Sequence, residues 1–145
     1  MVKFMGMLNN ISRSQAVFRQ SRIAAEGLSA GHYAFVLAVS RKPGCSQEEL
    51  ARALCLNKST VARSLAALEG HGYIRREQHP TDKRQLLVYP TERMLAVLPE
   101  VKAASQEWTA LLSEGISEEE LALFHSVLER MLARAREIVE READK

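Results

Sequence analysis

The chain has 145 residues, 46% of them hydrophobic and 26% charged, which suits one ordinary domain or two very small ones sharing a core and excludes a low-complexity polymer. No run approaches the roughly 18 apolar residues of a membrane span, and the N-terminal stretch has neither the apolar run nor the cleavage site of a secretory signal. Two cysteines are too few for a disulfide framework, so a cytoplasmic chain with no membrane association is the expectation. The net charge of +2 divides into +3 over residues 1–40, +4 over residues 41–93 and −5 over residues 94–145. The basic part can face a polyanion and the acidic part need not.

The first segment, about Val2 to Ala25, has loose helical spacing at Phe4, Leu8, Ile11 and Phe18. After Gly27, Ser29 can cap a second helix from about Ala30 to Arg41, which Pro43 and Gly44 end. Ser46 followed by Glu49 is a capping box that opens a short helix through Leu54. A few residues later Asn57 can cap the next helix, whose buried stripe is Val61, Leu65 and Leu68 and whose left-handed stop is Gly72. Tyr73–Gln78 and Arg84–Tyr89 then read as the strands of a hairpin with a basic-tipped loop, His79 to Lys83.

Beyond Pro90 the helical period returns, with a long helix from about Thr91 to Ser113 that contains Pro99 and stops at Gly115. Ser117 and Glu120 form a second capping box. The last helix carries Leu121, Phe124, Leu128, Met131, Ala135 and Ile138 at spacings of three and four, a coiled-coil-like seam. A chain this small has little mass to bury two long helices on itself, so the seam is expected to pack against a second copy. Trp108 and Phe124 read as core.

A short capped helix, a tight connection and a helix ending in glycine make a helix-turn-helix, and the hairpin makes it winged. At 100° per residue, centring the buried stripe of the second helix puts Ser59, Arg63, Ala66 and Gly70 on its outer face. That face has a base, a hydroxyl, small residues and no carboxylate, so it can approach a major-groove floor without steric or charge conflict. Lys58 and Thr60 flank its N-terminal end, where the helix dipole favours phosphate.

The runs Ser46 to Leu54, Asn57 to Leu68 and Gly72 to Arg76, with the wing run Asp82 to Val88 and then Pro90-Thr91-Glu92, resemble the MarR-type transcriptional regulators. The most specific element is Asp82-Lys83-Arg84 at the wing tip. The resemblance implies a mainly α fold with a small β-hairpin: a winged helix-turn-helix over residues 29–93, flanked by dimerisation helices in residues 1–28 and 94–145. It implies a homodimeric repressor that binds a pseudopalindromic operator in double-stranded DNA, with the recognition helix in the major groove and the wing arginine in the minor groove. Two departures stand out. No glycine follows the second wing strand at Glu92-Arg93-Met94, and Ala66 and Ala67 stand where longer polar side chains are common.

The DNA-binding residues expected on this reading are Asn57, Lys58, Ser59, Thr60, Arg63, Asp82, Lys83 and Arg84. Arg63 is expected on base edges and Arg84 in a narrow minor groove, its guanidinium oriented by Asp82. Lys58, Ser59, Thr60 and Lys83 are expected on phosphate. Ile11, His32, Tyr33, Phe35 and Val36 are the candidates to line a pocket for a small aromatic ligand, against the alternative that His32 and Tyr33 are a partly buried pair at a helix start.

Cys45 and Cys55 have no zinc-ligand spacing, so no metal and no cofactor are expected. Cys55 reads as a small packed hydrophobe and Cys45 as a loop thiol near Arg41 and Lys42, which leaves a cysteine-based redox regulator as one alternative. The other is a winged helix used as a protein-interaction module. GxGxxG, GxxxxGK[ST] and HExxH are absent, and an enzyme is not expected.

Overall fold

Three side-chain caps, each set by residues no more than four apart, start the helices of the helix-turn-helix and of the C-terminal segment. Ser46 Oγ accepts from the Glu49 amide at 3.1 Å while the Ser46 amide donates to Glu49 Oε2 at 2.9 Å, which closes the capping box before α3 (Gln47–Leu54). Asn57 Oδ1 accepts from the Thr60 amide at 2.8 Å and starts α4 (Lys58–Gly70). Ser117 and Glu120 repeat the box before α6 (Glu118–Ala143). Ser46→Ala is expected to lower unfolding free energy by about 1 kcal/mol, read by urea denaturation, because two first-turn amides lose their acceptor arrangement.

The computed structural model describes residues 3–144. Its other elements are α1 (Lys3–Arg22), a short 3-10 turn at Ala30–His32, α2 (Tyr33–Arg41), β1 (Cys45–Ser46), β2 (Ile74–Gln78), β3 (Leu86–Pro90) and α5 (Glu92–Leu112). Val2, where the first helix was expected to begin, lies outside the described residues. The helix ends at Arg22 rather than near Ala25, and the second helix opens with the 3-10 turn before becoming regular at Tyr33.

The hairpin forms in the order expected, but its second strand begins at Leu86, not Arg84, so Arg84 belongs to the loop. The sheet also gains a third strand. Its order is β1-β3-β2, all antiparallel, with Cys45 opposite Val88, Ser46 opposite Leu87, and Ile74 opposite Pro90 through Gln78 opposite Leu86. Cys45 is therefore a buried strand residue and not a loop thiol. Burial, then the charge of Glu49, push its thiol pKa up, against the weaker pull of Lys42. Cys55 moves the other way. It is exposed, with φ of 54° at the left-handed end of α3, so it does not pack as a hydrophobe.

Two compact units divide the chain, one ending at Trp108 and the other starting at Thr109. In the first, Tyr33, Phe35, Val36 and Val39 of α2 form one core with Leu50, the α4 stripe of Val61, Leu65 and Leu68, Val88 of β3, and Met94 and Val101 of α5. The α4 stripe is the one that helical spacing marks. Gly72, at φ of 77°, takes the left-handed turn after α4, where a side chain would be strained. At the exit from β3, the Thr91 hydroxyl donates to the carbonyls of Gly72 and Tyr73, and its oxygen accepts from the Met94 amide. A threonine cap starts α5 without the glycine common after the second strand.

In the same unit, Phe18 of α1 lies 5.3 Å from the ring of Trp108, which is half-buried. Arg22 stacks on Phe18 and donates twice to Glu107, each at 3.1 Å. In α1 itself no residue is buried; Phe4, Met5, Met7, Ile11 and Val17 are exposed. In the second unit, α6 has no buried residue either. Phe124 is 55% exposed and thus not a core residue of the chain, and Leu128, Met131, Leu132, Ile138 and Val139 are exposed with it.

Candidate nucleic-acid interface

The outer face of α4, Ser59, Arg63, Ala66 and Gly70, carries no carboxylate. The only acidic residue of the helix, Glu69, points its oxygens at β2: it accepts from the Arg76 amide at 3.0 Å and from the Arg76 guanidinium at 2.9 Å and 3.3 Å. Arg76 also donates to Gln47 Oε1 at 3.0 Å, so one guanidinium joins the start of α3, the end of α4 and the base of the wing. Arg76 beside Glu69 holds that carboxyl below the usual carboxylate range. Its contribution to stability is complete above the ordinary carboxylate pKa and is lost as pH falls through the lowered one.

Ser59, Arg63, Ala66 and Gly70 are all exposed, as the wheel requires, and Ala67 is exposed with them. Asn57 Oδ1, besides capping the helix, accepts from the Ser59 hydroxyl at 2.9 Å. Thr60 is half-buried, and its hydroxyl accepts from Arg63 at 3.4 Å, which leans the guanidinium toward the helix N-terminus. Lys58 is exposed, and its ammonium lies 3.3 Å from Glu48. An exposed pair of this kind contributes little stability and leaves the lysine available to a phosphate.

The wing meets the N-terminal ends of α3 and α4. A cleft is lined by Ser46, Gln47 and Glu48 at the start of α3, by Lys58 and Val61 of α4, and by Arg84, Gln85 and Leu86 of the wing. Lys58 and Arg84, 26 positions apart in the chain, thus border one cavity. Lys83 and Arg84 are exposed. Asp82 differs from expectation. Its Oδ1 accepts from the Arg84 amide at 3.1 Å and its Oδ2 from Gln85 Nε2 at 3.2 Å, so it fixes the backbone that carries Arg84 rather than the guanidinium.

The residues marked for a small molecule are only partly together. Tyr33, Phe35 and Val36 are fully buried in the core, His32 is half-buried, and Ile11 is exposed on α1. Burial pulls the pKa of His32 down. Arg19 was not singled out by the sequence. Its guanidinium carbon is 5.6 Å from the centre of the Tyr33 ring, and the Tyr33 hydroxyl donates to its carbonyl at 3.1 Å. Its Nε is buried without a hydrogen-bond partner, and burial lowers its pKa. An α1 cation one turn before the end of a helix gives no signal of that burial in the sequence. Glu48, Gln47 and the Glu69–Arg76 pair were missed for the same reason: their partners lie on other elements. Among the described residues no group of three or more His, Cys, Asp or Glu could hold a metal ion, and no helix is long and apolar enough to cross a membrane.

Three comparisons extend this geometry. The model of the MarR family matches residues 28–86. The HTH-type transcriptional regulator BilQ of Clostridium symbiosum (strain WAL-14163) is 31% identical over 115 residues, covering 79% of this chain and 80% of that protein. The transcriptional regulator HosA of Escherichia coli O111:H- is 35% identical over 109 residues, covering 72% of this chain and 78% of that protein. A crystal structure of the transcriptional regulator SlyA matches with a TM-score of 0.89 at 26% identity, over 94% of this chain and 96% of that one.

Proposed function

The chain belongs to the MarR family of DNA-binding transcriptional regulators, which are not enzymes, and from that premise we propose that it is a homodimeric, ligand-responsive repressor of a pseudopalindromic operator. The observation that carries the DNA reading is the outer face of α4, where Ser59, Arg63, Ala66 and Gly70 are exposed without a carboxylate among them, while the one carboxylate of the helix, Glu69, is bonded to Arg76. In this reading α4 lies in the major groove, Arg63 meets base edges, and Arg84 reaches the minor groove from the wing. Asn57, Lys58, Ser59, Thr60 and Lys83 stand against phosphates, and Asp82 holds the wing backbone. A duplex selected by the protein from a randomised library tests it. The selected duplex should bind about 10³-fold or more tightly than a scrambled one at physiological salt, both affinities falling steeply with salt. Equal affinity for the two sequences would remove the operator reading.

Dimerisation joins residues 1–28 and 94–145 of two copies, a reading supported by the exposed apolar residues of α1 and α6. The ligand is a small aromatic acid. The half-buried Arg19, its Nε without a partner and its guanidinium beside Tyr33, suits a carboxylate, and Ile11, His32, Tyr33, Phe35 and Val36 are the residues proposed to meet the ring. Binding would act by favouring dimers whose recognition helices are wrongly spaced for the operator. Benzoate and its hydroxylated derivatives are the probes. They should weaken operator binding and raise the melting temperature of the wild type, by an amount equivalent to about 2.7 kcal/mol at 100 times Kd. Arg19→Gln should abolish both responses. A response that survives Arg19→Gln puts the ligand elsewhere.

A further inference from the structure

We propose that Nδ1 of His79 is the cap that holds the wing loop in its DNA-reading shape, a positioning role that rests on the wing being a DNA contact. The loop from His79 to Gln85 has seven residues, one of them Pro80, so six backbone amides need acceptors. Five find them within the loop. The His79 amide donates to the Gln85 carbonyl and the Gln85 amide to the Asp82 carbonyl, both at 3.0 Å, which closes the base. The Arg84 amide donates to Asp82 Oδ1 at 3.1 Å. The amides of Thr81 and Asp82 both donate to His79 Nδ1, at 3.2 Å and 3.1 Å, and the Thr81 hydroxyl lies 3.2 Å from the same nitrogen.

One ring nitrogen therefore organises the loop up to Asp82, and Asp82 organises it from there to Gln85. His79 and Asp82 are half-buried while Lys83 and Arg84 are exposed, so the acceptors turn inward and the cations outward. Two amides donating to Nδ1 require that this atom carry no hydrogen, which places the ring proton on Nε2. A carboxylate could cap the same amides, but it would set a second negative charge beside Asp82 on the surface that meets a polyanion. A neutral imidazole caps them without that repulsion.

Two substitutions separate the acceptor from mere occupancy of the site. In His79→Asn the carboxamide oxygen stands near the place of Nδ1. In His79→Gln it stands one bond farther out, nearer the place of Nε2. His79→Asn should keep affinity for the selected duplex within about twofold, and His79→Gln should lose roughly tenfold, as expected for two amide bonds of ordinary net value. Binding to scrambled DNA should change far less, since Lys83 and Arg84 keep their charges. On the free protein, NMR should find the ring proton on Nε2. The Thr81 and Asp82 amides should exchange slowly in the wild type and in His79→Asn, and faster in His79→Gln. Equal duplex binding by the two variants, or unchanged exchange at Thr81 and Asp82 in His79→Gln, would overturn the proposal. If exchange follows the acceptor while neither His79→Gln nor Arg84→Ala alters duplex binding, the wing is not a DNA contact and the positioning role falls with that reading.

Discussion

Arg63→Ala is expected to weaken binding to the operator by about 1–3 kcal/mol per half-site and to relax sequence preference at one position in each half. The reasoning starts from the helix. Arg63 is exposed at the centre of the outer face, and the neighbours on that face, Ser59, Ala66 and Gly70, are too small to keep it from a groove floor. A guanidinium there presents paired donors to guanine O6 and N7, the commonest specific contact. The Thr60 hydroxyl at 3.4 Å supplies a light hold on the side chain before DNA arrives. With Ala66 and Ala67 beside it, few other side chains on α4 can share the readout, so the loss should concentrate on one base position.

Arg84→Ala should act differently. Its guanidinium is not tied to Asp82, which instead fixes the Arg84 amide, so the side chain is free to probe groove width. The substitution should lower the salt slope by roughly one counterion per half-site. Affinity for the selected and scrambled duplexes at several salt concentrations checks both. If Arg63→Ala lowers the two affinities equally, Arg63 touches only phosphate. If neither substitution changes binding to any DNA, the winged helix serves as a protein-interaction module instead.

The parts of this molecule that the sequence discloses are those whose causes are local. The Ser46, Asn57 and Ser117 caps each bond within three residues, and Gly72 stops α4 as a left-handed glycine does. The α4 wheel is equally local, since one buried stripe fixes the opposite face. What the sequence hides depends on distant partners. Cys45 follows Pro43-Gly44 and looks like a loop, yet pairing with Val88 makes it a buried strand residue. Cys55 has an apolar neighbour on either side but sits where α3 has turned left-handed, and faces solvent. Glu69 and Arg76 meet across a helix and a strand, and Arg19 meets the Tyr33 ring on another element. The wing loop stands between these cases. His79 and Asp82 are three residues apart, but an imidazole accepting backbone amides has no common spacing signature.

Placing glutamate at both Leu128 and Met131 is expected to abolish the dimer, with sedimentation giving monomer or an unfolded chain. The two residues are one helical turn apart on α6, 36% and 39% exposed, and the apolar surface continues through Leu132 and Ile138. A helix with no buried residue, yet with apolar residues at spacings of three and four, leaves that surface in water unless something covers it. A second copy is the occupant in this reading because the same seam is then available on both partners, as a two-fold interface requires. Each charge would be taken from water into apolar contact, at a cost no exposed ion pair on α6 offsets. DNA binding should fall further than stability does. In the proposed dimer two joined α4 helices would engage two half-sites, and separating them would remove an advantage of about 10²–10⁴-fold in operator affinity. Contact with scrambled DNA should decline much less, since the charges of α4 and the wing remain. An operator affinity that drops by that factor while the monomer keeps its helical circular dichroism would tie the loss to dimerisation rather than unfolding. A folded dimer of unchanged mass would take the seam out of the interface and leave α1 as the surface to test next.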